Sequence, residues 1–430
     1  MYSHVLTCTH LCRSTVHIRK SMYSTFFRKT DFEVSEKPLV ILVANLTWTI
    51  FHYRLSLIQA LQHAGYRVMV VAPSDAAVQP LKEMTGVGHH ALYNFTRNST
   101  NPIQCWRMLW EFYQVYRQYR PALVIHFGVQ PNVFGNLGAA MARVHSLCVV
   151  TGLGYSFLHR NLVGRIVRFL YTVSFWFADK VLLENADDQE LLIEAGIVSR
   201  SKSAVVSGCG INLEEYAPRR KSKINTQPVF TFIGRLLYDK GLYEFVQAAE
   251  AVLEDFPEAK FQILGMLDHG NPAHVHQAAL EAWIRSGTIQ YLGAVNDVRP
   301  YIADADWIVL PSYREGLSRT LLEAMSMARP IITSDVAGCR QAVDHHINGF
   351  LVPVRDAKAL TETFVTCCKM PRKTQLKMGN YGRIKAKRQF NHQLVDKQYL
   401  TIVSDVTEHS LAAKRLEWAP RYSKQLVPGY

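Results

Sequence analysis

Two strand–loop–helix openings, set about 190 residues apart, constrain the fold of this chain more than any other feature. The first starts at Pro38 with the apolar strand Leu39-Val40-Ile41-Leu42-Val43-Ala44. A loop, Asn45 to His52, leads into a helix with apolar positions at Leu55, Leu57, Ile58 and Leu61; Gly65 ends that helix and Tyr66 to Val71 is the next strand. The second opening is Val229-Phe230-Thr231-Phe232-Ile233, then Gly234-Arg235 and Asp239-Lys240-Gly241, then an apolar-periodic helix through Leu242, Phe245, Val246 and Ala249. At 430 residues the chain is too long for one compact core. The pattern predicts an α/β protein with two Rossmann-like domains facing each other, joined by the polar stretch from Pro218 to Gln227.

Two segments of the second half carry chemistry. Arg235 and Lys240 leave the carboxyl end of a strand, the edge where open α/β sheets bind ligands. A forked guanidinium and a point-charge ammonium suit a diphosphate. Further on, the buried strand Trp307-Ile308-Val309-Leu310 is stopped by Pro311, and Gly316 permits an unusual turn. Ser318 stands at the N-cap of a helix that begins near Arg319. The loop delivers Glu315, and Glu323 follows within the first turns of the helix. Helix N-termini attract phosphate and carboxylates bind sugar hydroxyls, so the pair of features suits a nucleotide sugar.

Gly234-Arg235-x4-Lys240-Gly241 followed by Glu315-Gly316-x6-Glu323 resembles the retaining glycosyltransferases of family 4, which have the GT-B fold. The resemblance runs from about Leu39 into the 400s, with further matches at Ser207 to Asn212, Tyr291-Leu292-Gly293, Asp335 to Arg340 and Asn348 to Pro353. Gly338-Cys339-Arg340, Thr151-Gly152-Leu153-Gly154-Tyr155 and Glu184-Asn185-Ala186-Asp187-Asp188 look like one branch of that family. The branch builds bacterial surface polysaccharides, including lipopolysaccharide, and lipid-linked oligosaccharides. Some of its members add N-acetylgalactosamine to undecaprenyl-diphosphate-linked sugars. The implied division is an extension over 1–36, an acceptor-binding domain over 37–217, a linker over 218–227 and a nucleotide-sugar domain over 228–380. A C-terminal helix and tail, 381–430, would cross back to the first domain, with Ile384, Phe390, Leu394, Tyr399 and Ile402 as its apolar positions.

By that resemblance, Gly234, Arg235 and Lys240 hold the donor diphosphate with N–H groups around Gly316, Leu317, Ser318 and Arg319. Glu323 takes the ribose hydroxyls, Glu315 the hydroxyls of the transferred sugar, and uracil lies along Tyr291 to Val295. Glu315, Arg235 and Lys240 are the implied catalytic residues, with His126 as a sugar-contacting candidate. Many family members place a His at the end of the strand Val124-Ile125-His126-Phe127, yet the aligned position here is Phe127. Gly128 and Gln130 stand where the branch often has Thr and Lys, and the glycine pair common in the first loop is missing. Phe51, His52, Arg54, Asn132 and Tyr155 are the candidate acceptor contacts. The implied product keeps the anomeric configuration of the donor. The implied reaction needs no cofactor and no metal, UDP-sugar being a substrate; Asp304-Ala305-Asp306 has metal-binding spacing but reads as a turn or helix cap before a buried strand.

Composition narrows the partners. The formal charge is +13, with fifteen Lys/Arg against nine Asp/Glu between Lys37 and Lys202 and seventeen of each between Pro228 and Lys385. With no nucleic-acid motif, the basic first half points to an anionic membrane surface or a lipid-diphosphate acceptor rather than nucleic acid. Trp106 to Arg120 and His159 to Phe177 are aromatic and basic helical stretches suited to a headgroup region. Their other explanation is packing on the first sheet. No segment reaches the roughly 18 to 20 apolar residues of a spanning helix. With the resemblance to enzymes of lipid-linked glycans, the expected place is the cytoplasmic face of the membrane, held peripherally. The eight scattered Cys fit a reducing compartment. Residues 1–36, basic and without an acid before Asp31, faintly resemble an organellar presequence; an upstream start with Met22 or a later codon as the true beginning is the simpler reading.

The expected activity is transfer of a hexose or N-acetylhexosamine from UDP to a lipid-diphosphate-linked saccharide. The rivals are a soluble acceptor, an epimerase on the same fold, and an inactive scaffold. A nicotinamide dehydrogenase is disfavoured because its Gly-x-Gly-x-x-Gly loop is absent after the first strand.

Overall fold

In this computed structural model, residues 37–95, 101–153, 162–219, 228–271 and 273–418 are described; the N-terminal extension, most of the linker, Gly154, Tyr155 and the final residues lie outside them. The first half contains β1 (Leu39–Ala44), α1 (Thr47–Tyr53), α2 (Leu55–His63), β2 (Arg67–Ala72), α3 (Val78–Thr85), β3 (Gly88–Ala91), α4 (Pro102–Tyr119) and β4 (Leu123–Phe127). It continues with α5 (Asn136–Ala142), β5 (Ser146–Val150), α6 (Leu162–Phe177), β6 (Lys180–Leu183), α7 (Ala186–Glu194) and β7 (Ser203–Val205). These strands form one parallel sheet in the order β3-β2-β1-β4-β5-β6-β7. Along β1 the side chains of Val40, Leu42 and Ala44 enter one core and those of Leu39, Ile41 and Val43 the other. That is the two-residue period of a strand covered on both faces, and it explains the unbroken apolar run.

The second half contains β8 (Val229–Ile233), α8 (Leu242–Asp255), β9 (Lys260–Leu264), α9 (Gln277–Arg285), β10 (Gln290–Tyr291), α10 (Arg299–Asp304) and β11 (Trp307–Leu310). After these come α11 (Arg319–Ser326), β12 (Ile331–Ser334), α12 (Ala337–Ala342), β13 (Gly349–Val352), α13 (Ala357–Lys369) and α14 (Arg372–Lys385). The parallel order is β10-β9-β8-β11-β12-β13. Each sheet reverses order beside its first strand, and loops at the carboxyl edge of such a point diverge to leave a crevice. The fold is thus α/β with two Rossmann-like sheets, as the paired openings predict.

Two expectations need correction. The stretch after β1 is not a loop, because Thr47 to Tyr53 forms α1. Its cap comes from far along the chain: Asp75 accepts the Trp48 N–H at 2.8 Å, and Thr47 Oγ1 donates to the Pro73 carbonyl. The return helix starts later than Tyr381. Tyr381 and Ile384 are exposed on α14, and the chain then passes through a π turn at Ala386–Phe390. Only α15 (His392–Trp418) crosses back, packing Val395, Tyr399 and Val403 into the first core.

The crossing is pinned by a buried cation. Arg54, between α1 and α2, donates to the Gly208 carbonyl at 3.0 Å, to Glu184 at 3.3 Å and to the Tyr399 hydroxyl at 3.4 Å. Its guanidinium lies 4.6 Å from the Phe127 ring centre. The sequence reading of Arg54 as an acceptor contact is therefore overturned: the side chain is buried, with partners in β6, the β7 exit and α15. Burial lifts the Glu184 carboxyl to about 7 even with Arg54 beside it.

Replacing Arg54 by Met should strand that carboxylate and cost about 3 kcal/mol of unfolding free energy at pH 8, less at pH 6 where Glu184 takes a proton. Denaturant melts at the two pH values measure it. A second test concerns Asp396 on α15, which burial pushes up to about 6 although it accepts from Ser56 at 3.3 Å. A carboxyl whose folded-state value is raised favours the fold below its unfolded value and loses that contribution as pH climbs from about 4 to 6. Asp396→Asn should therefore melt roughly 2–4 °C higher than the parent at pH 7.5 and no higher at pH 4.

Candidate functional site

Hydrogen bonds join the two cation- and carboxylate-bearing segments at the carboxyl edge of β8 and β11. Tyr313 N–H donates to the Asp239 carbonyl at 2.9 Å, and Thr320 Oγ1 donates to the Ile233 carbonyl at 3.2 Å. Gly241 lies so close to the Pro311 carbonyl that a β-carbon there would collide with it. As a result Lys240 meets Glu315 directly, forming an ion pair that is largely screened from solvent. The N-terminus of α11 stands over Ile233, beside Gly234 and Arg235. Ser318 holds the N-cap position but its hydroxyl caps nothing, which leaves the first N–H groups of the helix without a side-chain acceptor at the cap.

Arg235 is half exposed and donates to Asp268 at 2.8 Å. Gly265, at the end of β9, is packed against the Gly234 carbonyl, and its own carbonyl accepts from the Tyr291 hydroxyl at 2.8 Å. This sets Tyr291 and the residues through Val295 beside the Gly234–Lys240 loop, one strand further out. Glu323 is buried, and Arg319 one turn earlier donates to it at 3.0 Å. Burial raises the Glu323 carboxyl despite that arginine. Arg319 also donates to the Gly210 carbonyl at 3.0 Å and lies 5.4 Å from the Tyr216 ring centre and 5.9 Å from that of Tyr53. Desolvation and the nearby Glu323 push the Tyr53 hydroxyl up to about 12.

The first sheet supplies the opposite wall. Gly152, at φ 131°, packs against the Gly316 backbone, and a β-carbon on Gly316 would run into the Thr151 carbonyl. Beyond it Gly338 abuts the Gly316 carbonyl. The residues Glu184 to Asp188 then engage the same loop. Asn185 Nδ2 donates to the Gly316 carbonyl at 2.8 Å, Arg314 donates to Asp188 at 2.6 Å, and Arg340 donates to Asp187 at 2.7 Å. The Leu317 N–H is directed at the Glu184 carboxylate.

Of the first-domain candidates, His52 is exposed and stacks on Trp48 with ring centres 4.0 Å apart, while Phe51 is half-buried against the core. His126 is elsewhere. It is fully buried, hydrogen-bonded to the Tyr116 hydroxyl at 2.9 Å and pressed against Gly135, and desolvation lowers its ring to about 3. It is a neutral core residue on the α4 face of β4, and its reading as a sugar contact is corrected. Asn132 is also buried, donating to the Val149 carbonyl at 2.9 Å, so it is not an acceptor contact either. Tyr155 lies outside the described residues.

Asp306 accepts the Val229 N–H at 3.0 Å through one oxygen and pairs with Arg372 through the other, while Asp304 ends α10. The Asp-x-Asp spacing thus belongs to a strand-end brace. Sequence reasoning left Tyr53, Trp48, Arg314 and the roles of Asn185, Asp188 and Arg340 unassigned. The Arg319–Glu323 pair was legible from its four-residue helical spacing.

The arrangement offers a diphosphate-sized group two cations and a helix N-terminus, with carboxylates placed for hydroxyls. Residues 227–369 match the family described as Glycosyl transferases group 1. The chain is 30% identical over 330 residues to the N,N'-diacetylbacillosaminyl-diphospho-undecaprenol alpha-1,3-N-acetylgalactosaminyltransferase of Campylobacter jejuni, covering 73% of this chain and 85% of that one. It is 25% identical over 272 residues to the UDP-Gal:alpha-D-GlcNAc-diphosphoundecaprenol alpha-1,3-galactosyltransferase of Escherichia coli, covering 60% and 69%. The Anabaena HepE structure in complex with UDP and glucose superposes with a TM-score of 0.69 at 18% identity, over 85% of this chain and 99% of that one. With its motifs, its paired sheets and these relatives in agreement, the chain belongs to the group 1 glycosyltransferases and has the GT-B fold.

Proposed function

We propose that this glycosyltransferase moves a hexose or N-acetylhexosamine from UDP to a lipid-diphosphate-linked saccharide, with retention of configuration and without a metal ion. The observation that carries the reading is the meeting of Arg235, Lys240, the α11 N-terminus and Glu315 at one strand edge. Breaking the anomeric C–O bond loads negative charge on the diphosphate. Two cations and a helix N-terminus are placed to stabilise that charge as it forms. Lys240 is neutralised by Glu315. A diphosphate that engages Lys240 replaces one anionic partner by another, and Glu315 is released toward the sugar hydroxyls. In a front-face reaction the acceptor hydroxyl oxygen bonds to the anomeric carbon on the side the UDP leaves. Its proton passes to the departing phosphate oxygen, so no nucleophile of the protein is needed and His126 has no part. Asp306, committed to Val229 and Arg372, is unavailable as a cation ligand, which favours the metal-independent reading.

The undecaprenol-linked acceptors named for the Campylobacter and E. coli relatives support a lipid-diphosphate acceptor. No helix among the described residues is long and apolar enough to cross a membrane. On our reading the chain meets its lipid at the cytoplasmic surface. Ile103, Trp106 and Trp110 form an exposed stripe along α4, the two tryptophans 62% and 43% exposed, beside exposed Arg107. Phe169 and Trp176 project from α6, and α5 packs against both helices. Aromatic side chains among cations suit an anionic headgroup layer.

UDP release measured with a panel of UDP-sugars, with and without EDTA, against short lipid-diphosphate saccharides tests the activity. Acceptor-dependent turnover that survives EDTA is expected; a folded protein that binds no UDP would defeat the donor reading. Lys240→Ala should lower kcat by about 10²–10³ with the fold intact. Wild-type turnover in that variant would instead remove Lys240 from the catalytic set. For the membrane, flotation with anionic vesicles at low salt should recover the parent protein, and Trp106→Ser with Trp110→Ser should reduce recovery severalfold. Equal recovery of both proteins would remove α4 from the membrane face.

A further inference from the structure

The Glu184-Asn185-Ala186-Asp187-Asp188 segment of the first domain grips the second-domain loop that carries Glu315. Asp188 is 3% exposed at its side chain and accepts from Arg314, immediately before Glu315. Asn185 holds the carbonyl of Gly316, immediately after it, and Glu184 faces the Leu317 N–H. The two hydrogen bonds fall on residues 314 and 316, the approach of Glu184 on 317, and the one residue between them directs its carboxylate to Lys240. The grip is itself braced. Asn185 caps α7 by accepting the Asp188 N–H at 2.7 Å, and its amide donates to the second Asp188 oxygen at 3.1 Å. A fourth contact, Asp187 with Arg340, closes the rim, where Arg340 also pairs with Asp335 at 2.7 Å.

We propose that Asn185 and Asp188 are positioning residues for sugar transfer: they seat the 314–317 loop from the opposite domain and so aim Glu315 at the donor sugar. Polar partners buried on both sides of the junction make this more than incidental contact. A displaced loop would break the ion pair that the buried Asp188 carboxylate makes with Arg314, which favours one resting place for the loop. Gly316 has no side chain with which to fix the loop, and its backbone is packed against that of Thr151, Gly152 and Gly338. The inference depends on the donor reading above, since it assigns the loop its purpose.

The experiment compares the full-length parent with Asp188→Asn and Asp188→Glu, using the UDP-sugar the parent turns over, and measures UDP affinity by calorimetry. Misplacing a reacting group by about an ångström costs on the order of 10²-fold, so Asp188→Asn should lower kcat about 10- to 100-fold while UDP affinity changes by less than about threefold. Asp188→Glu, which keeps the charge, should recover part of the loss. A kcat within about twofold of the parent in Asp188→Asn overturns the proposal. So does a parallel fall in UDP affinity, which would show that the segment merely supports the second domain. Should Asp188→Asn fail to fold, the exposed rim pair decides: Asp187→Arg and Arg340→Asp should each lower kcat severalfold, and the double swap should restore it. Unchanged kcat in both single variants rejects the seat. A parent that neither turns over nor binds UDP would instead sink the donor reading, and the seat would fall with it.

Discussion

At the junction of the two sheets the backbones at Gly152 and Gly316 meet with no room for a β-carbon on the second. The rest of the cleft depends on that approach. Side chains of ordinary size would hold the halves several ångströms further apart, and the hydrogen bond from Asn185 to the Gly316 carbonyl would be lost. Because the contact is backbone on backbone, it has little give, and the polar side chains around it inherit a fixed frame. Asp188, Asn185 and Glu184 sit at the carboxyl end of β6, and Arg314 to Leu317 follow β11. The two strand edges that open α/β sheets reserve for ligands are thus used here partly on each other.

Charge around the site is arranged in local pairs. Lys240 faces Glu315, Arg319 faces Glu323, and Arg235 faces Asp268. At the site, the acids and bases of the second domain thus meet in contact rather than merely balancing in number. Removing either member of the partly buried pairs leaves an uncompensated charge, which costs more than the pair itself contributes. The excess of positive charge lies outside the second domain, in the first domain and toward the two ends.

Much of this was legible in the sequence, for physical reasons. Continuous apolar runs marked β1, β8 and β11, and a proline and a glycine marked the turn that carries Glu315. What was not legible had long-range causes. Helix α1 looked like a loop since its capping acceptor, Asp75, lies 27 residues away. Arg54 looked like a surface cation, its partners being 130 and 345 positions distant. His126 stands in a strand covered on both faces, where alternation cannot say which side faces a ligand. The Glu184–Asp188 motif was visible as residues, but its purpose depends on a loop in the other domain.

Arg54 and Asp188 divide the work of holding the cleft. Arg54 ties β4, β6 and α15 together beneath it, so the returning helix and the first sheet behave as one support. Asp188 reaches from that support to the loop above. The neighbour that joins the two systems is Glu184, shared between the Arg54 guanidinium and the Leu317 N–H. Tyr399 of α15, Arg54, Glu184 and the segment that grips the donor loop therefore form one run of contacts. The C-terminal helix crosses a domain boundary for this physical reason: it braces the first domain at the point where that domain meets the second.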